Sequence, residues 1–171
     1  MKRVSLLVVA LGVLVSGCGS SSSTAPTTPT NPTFTATLSP ANEVPPVAGA
    51  EATGSGTATV TLVTTKDAAG NVTAATATFV VNLTGFPAGT PVNAAHIHNA
   101  PAGTNSGVVI TSGITAGQNV LVAGSGSFTA SNLPVDAALA NQILANPAGF
   151  YFNVHSTLNP GGLARGQLVR Q

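Results

Sequence analysis

Three histidines are the residues of this chain best placed to do chemistry. His96 and His98 stand in Ala95-His96-Ile97-His98, and His155 closes Asn153-Val154-His155. They are all the histidines present, and charged side chains make up only 5% of the residues, so metal or proton chemistry has few other donors to draw on. In an extended strand, residues i and i+2 point to one face about 6–7 Å apart, which makes His96 and His98 a ready pair of imidazoles. Neutral imidazoles suit zinc, copper, nickel and iron, and three of them with one open position form a recognised catalytic-metal arrangement. The same rings can instead hydrogen-bond backbone groups and Asn153, as buried polar groups ordinarily do.

Positioning these rings is a task for strands. From Phe34 onward the text alternates threonine, valine and alanine, broken by Gly, Pro and Asn. β-branched residues predict strands over 34–38, 56–63, 72–83, 92–98, 108–111, 120–129, 150–155 and 163–169, and 67–71 has the composition of a hairpin turn. In 150–155, Phe150, Phe152 and Val154 share one face, and Tyr151, Asn153 and His155 the other. Ala95 and Ile97 likewise oppose His96 and His98. The apolar sets belong in a core, so the imidazoles fall on the outer or rim side of their strands. One segment, 134–146, spaces Leu139, Ile143 and Leu144 as a helix does, with Asp136 at its start and Asn146-Pro147 at its end. The fold predicted is all-β: an antiparallel Greek-key sandwich or barrel, immunoglobulin-like or superoxide-dismutase-like, with one short helix.

Two further residues invite pairing. Glu43 lies in Leu38-Ser39-Pro40-Ala41-Asn42-Glu43-Val44-Pro45-Pro46-Val47, and Arg165 in Asn159-Pro160-Gly161-Gly162-Leu163-Ala164-Arg165-Gly166-Gln167-Leu168. Glu43 could orient an imidazole by accepting its second N–H. It could equally form a two-pronged ion pair with Arg165 that pins the N-terminal strand, and this structural role is the expected one. Hydrolysis finds no support. Ser156 and His155 are consecutive and point to opposite faces of a strand. The glycine-rich stretch around Glu51 reads as a solvated loop, which leaves Glu43 without a second carboxylate for glycoside chemistry.

The N-terminus reads as an address. Lys2 and Arg3 precede an apolar run, 4–15, that is too short to span a bilayer. Leu14-Val15-Ser16-Gly17-Cys18 resembles the lipobox of bacterial lipoproteins, which are cut before the cysteine and lipidated on it. Residues 1–17 are then a signal peptide and Cys18 the lipid attachment site, with several acyl chains giving a stable anchor. Residues 19–33 carry no large apolar side chain and read as a Ser/Thr/Pro tether, and 34–171 as one domain. Loss of Lys2 and Arg3 leaves three basic side chains against four acidic ones, so the formal net charge moves from +1 to −1. No basic patch remains for nucleic acid. Cys18 is the one cysteine, so the domain has no thiol for a disulfide or a zinc–thiolate site.

The Glu43 block, Ala95-His96-Ile97-His98, Asn153-Val154-His155 and the Arg165 block, in that order, resemble the signature of the CHRD domain, a module of chordin and of bacterial envelope proteins. The resemblance runs from Phe34 to the C-terminus. It implies a binding or structural module presented at the cell envelope, periplasmic or exterior, to an extracytoplasmic protein or small ligand, with no required cofactor. A His-X-His strand, a later histidine strand and an Arg-Gly strand are also similar to the copper half of copper–zinc superoxide dismutases. The bridging histidine, the zinc ligands and the disulfide of those enzymes are missing here. This second resemblance implies the alternative: one copper or zinc ion at His96, His98 and His155, with weak redox activity.

Overall fold

The structure is a computed structural model that describes residues 31–171; the predicted signal peptide (1–17), Cys18 and nearly all of the predicted tether lie outside the described residues. In chain order the elements are β1 (Thr33–Leu38), β2 (Ser55–Lys66), β3 (Val72–Thr84), β4 (Thr90–His98), β5 (Val108–Thr111), β6 (Asn119–Leu121), β7 (Gly126–Val135), α1 (Ala137–Ala145), β8 (Tyr151–Ser156), β9 (Ala164–Gln167) and β10 (Val169–Arg170). They form two antiparallel sheets. The first runs β10-β1-β2-β3-β7, and the second β5-β4-β8-β9 with β6 also on β4. The sheets are separate and do not close into a barrel, which leaves the sandwich form of the expected fold.

Alternation explains the packing. Phe34, Ala36 and Leu38 of β1, Val60 and Leu62 of β2, and Phe79 and Val81 of β3 point inward from the first sheet. Ala95 and Ile97 of β4 and Phe152 and Val154 of β8 point inward from the second. Phe79 and Phe152 meet edge to face, 5.0 Å between centroids and 84° between planes. Such a pair is worth about 0.5–1.5 kcal/mol beyond its buried area. The hairpin at 67–71 closes on Asp67, whose Oδ1 accepts from the backbone N–H groups of Ala69 and Asn71. α1 begins where Asp136 Oδ1 accepts from the N–H groups of Ala138 and Leu139, and it buries Ala140 and Ile143.

Two predicted strands are each divided. The stretch 120–129 is β6 on the second sheet, a turn, then β7 on the first. Gly124 in that turn has φ 73°, and a Cβ there would strike the Phe86 carbonyl oxygen. β7 then continues through Pro134 to Val135, so the helix starts later than predicted; proline is tolerated because β7 is an edge strand. The stretch 163–169 divides likewise into β9 on the second sheet and β10 beside β1 on the first. Glu51 is also not in a solvated loop. It lies in a 3-10 turn, Gly49–Thr53, with 1% of its surface exposed.

Candidate metal centre

The outer face of the second sheet carries polar side chains in register. Antiparallel pairing sets His96 of β4 opposite Asn153 of β8, and Asn153 opposite Arg165 of β9. One step along, His98 lies opposite Tyr151, and the other way His155 lies opposite Ala94. The spacing of two therefore gathers His96, His98 and His155 on one face, with one nitrogen of each within 4.8 Å of the others. This face is not open to water as an outer face would be. Loops 40–47, 99–107 and 157–162 fold over it, leaving His98 6% and His155 9% exposed and His96 half-buried.

Hydrogen bonds fix the tautomers of two rings. His98 Nδ1 lies 2.9 Å from the Ser106 carbonyl oxygen, and His155 Nδ1 lies 3.0 Å from that of Pro160. A carbonyl only accepts, so both Nδ1 atoms carry the proton and both Nε2 atoms hold a lone pair. Such partners on the second nitrogen are what orient ligating histidines. His155 Nε2 lies 3.1 Å from His96 Nδ1, while His98 Nε2 is buried and has no partner among the described residues. Burial, helped by repulsion from His155 and His98, holds His96 down at about 4. Burial likewise pushes His98 and His155 below the ordinary histidine range. All three rings are therefore neutral at physiological pH, the form that ligates.

Three nitrogens around one tetrahedral ion, each about 2.0–2.1 Å from it, stand about 3.3 Å apart. The His96–His155 separation, 3.1 Å, already matches, and all three nitrogens lie within 4.8 Å of one another. The three rings lie close enough to hold a metal ion.

Behind His98 stands a stack. The Tyr151 ring lies parallel to His98, 2° between planes and 4.7 Å between centroids, and the Arg165 guanidinium sits 4.7 Å from the Tyr151 ring centroid. Arg165 is 2% exposed and acts as the hub of the covering loops. Its Nε donates to the Asn42 carbonyl at 2.6 Å, and its Nη1 to Asn105 Oδ1 at 2.7 Å. Glu43 is present but forms no two-pronged pair: its Oε2 stands 4.0 Å from Arg165 Nε. Nε and Nη1 are spent on loop oxygens instead, and Nη2 is buried with no partner among the described residues. Nor does Glu43 orient an imidazole, since Ser106 and Pro160 supply those acceptors. Burial raises Glu43 to about 7 against the pull of Arg165 and a hydrogen bond from Asn153.

Residues 34–168 match the CHRD domain. The chain belongs to the CHRD domain family. No curated protein and no solved structure matches it. In this CHRD domain the four sequence blocks meet at one place: the Glu43 loop and the Arg165 strand clamp the flank of the face on which the two histidine blocks lie. Tyr151, the Ser106 and Pro160 carbonyls and Glu51 complete the surroundings, and none of them is a candidate on sequence grounds. Tyr151 shares the strand period of Asn153 and His155, a signal that could have found it. Backbone acceptors and Glu51 carry none, because only the folded loops bring them near.

Proposed function

We propose that the CHRD domain is a metal-binding module whose His96, His98 and His155 hold a single Cu²⁺ or Zn²⁺ ion, displayed at the cell envelope by a lipid on Cys18. The observation that carries the metal reading is His98 Nε2: a buried acceptor without a donor among the described residues, on a ring that shares a cluster with two other neutral imidazoles. Unpartnered buried atoms are uncommon, and an ion is one of the standard partners for them. Nitrogen-only ligation without thiolate or carboxylate suits Zn²⁺ and Cu²⁺ over Mg²⁺ or Ca²⁺. A three-histidine set leaves a position for water or a small exogenous ligand. Weak redox chemistry belongs to the copper form. Isothermal titration of the metal-free protein with each ion is the test; one ion per chain is expected, and heat indistinguishable from dilution for both ions overturns the reading.

A second reading is favoured by one contact. With no ion bound, His96 Nδ1–H donates to His155 Nε2 at 3.1 Å, which satisfies both rings. The domain is then a binding or structural module for an extracytoplasmic protein or small ligand, and the histidines simply seat its covering loops.

A further inference from the structure

We infer that Glu51, which touches none of the three histidines, is the positioning residue that sets His155 for ligation. This deepens the metal reading and rests on it for the affinity measurement alone. Glu51 Oε2 accepts from Ser156 Oγ at 2.6 Å and from Asn159 Nδ2 at 2.5 Å. Ser156 directly follows His155, and Asn159 directly precedes Pro160. The carboxylate therefore grips both ends of the short turn between the histidine and its own hydrogen-bond acceptor.

Within that turn the Asn159 N–H donates to Ser156 Oγ at 3.0 Å, and the Ser156 N–H donates to the Asn159 carbonyl at 3.3 Å. The outcome is the placement of one atom, the Pro160 oxygen, 3.0 Å from His155 Nδ1. That bond keeps the proton on Nδ1 and the lone pair on Nε2, the nitrogen that faces His96. The far side of the turn rests on Glu43, since a Cβ at Gly162 would strike the Glu43 carboxyl group. Two of the four acidic side chains in the chain are thus buried, and both brace this one turn. Burying a carboxylate is costly, and a surface turn closed by its own backbone bonds has no need of one. A carboxylate that fixes a ligand's tautomer through an intervening carbonyl does the work of an outer-sphere partner.

The experiment uses the full chain labelled with ¹⁵N-histidine, metal-free and at neutral pH, as the parent, Glu51→Gln and Asn159→Ala. Long-range ¹H–¹⁵N spectra should show His155 as a single Nδ1–H tautomer in the parent and as a tautomer mixture in both variants. His98, held separately by Ser106, should keep its tautomer and serves as the internal control for folding. Zn²⁺ affinity should fall about 10–100-fold in both variants. A folded variant in which His155 keeps its single tautomer, or loses it with unchanged Zn²⁺ affinity, overturns the inference. If Glu51→Gln does not fold, Asn159→Ala decides by the same criteria. A parent that binds no Zn²⁺ sinks the metal reading alone, because the tautomer comparison involves no ion.

Discussion

His96 Nδ1 and His155 Nε2 stand 3.1 Å apart in space and 59 residues apart in the chain. The two nitrogens face each other because antiparallel pairing sets His96 opposite Asn153, two residues from His155 on the same face. In the metal-free protein this is a hydrogen bond; on the proposed metal reading a bound ion would replace it and leave the His96 proton on the other ring nitrogen.

On that reading metal should stabilise the folded state. At a free Zn²⁺ concentration 100 times Kd the native protein gains about 2.7 kcal/mol, a rise of several degrees in Tm. In His98→Ala the rise should vanish. The variant should also lose about 1–3 kcal/mol without metal, because the Ser106 carbonyl is left unpaired and the stack on Tyr151 is gone. Thermal melts of both proteins with zinc, copper and chelator check this. Identical melts of the parent with and without either ion would count against a metal centre.

The acid limb of stability should belong to the histidines. His96 is lowered from 6.5 to about 4, so between those values the unfolded chain binds a proton that the folded ring refuses. Stability from this group is present above pH 6.5 and is lost as pH falls through about 4. Glu43 has the opposite sign. Raised from 4.5 to about 7, it contributes stability below pH 4.5 that is lost as pH rises through 7. Glu43→Gln should therefore steepen the rise in stability between pH 4.5 and 6.5. Urea titrations of the metal-free parent and variant across that window measure the slope; equal slopes would contradict the burial of the Glu43 carboxyl.

Gly166→Ala should cost about 1–3 kcal/mol by overpacking. A Cβ at Gly166 would strike the Thr37 carbonyl oxygen, so β9 can no longer press against β1. The midpoint of urea unfolding should fall with an unchanged m-value.

Cys18→Ser should release the protein from membranes without altering the melting temperature of the domain. Membrane fractionation in the native host tests the anchor, and unchanged membrane association would remove the lipobox reading.

Much of the candidate site is legible in the amino-acid sequence. His96 and His98 share a face because the strand period is two, and Tyr151, Asn153 and His155 follow the same rule on β8. Local chemistry also announces the Asp67 hairpin and the Asp136 cap. The two divided strands are hidden because neither stretch contains a proline to mark the break, and only packing against Phe86 or beside β1 assigns each half to a sheet. Glu51 escapes for the same reason. Its partners lie 105 and 108 residues away, and no local signal marks an acid in a glycine-rich stretch as buried.

Residues 164–170 cross from one sheet to the other: β9 completes the second sheet, and two residues after Leu168 enter β10 beside β1. β1 is the second strand of its sheet, so one of its edges waits for a partner more than a hundred residues downstream. A chain growing on the ribosome can pair β2 with β3 early. It cannot seat Arg165 against the Asn42 loop, or seal β1, until this segment emerges. The two sheets are therefore fastened together late, once nearly the whole chain has been made.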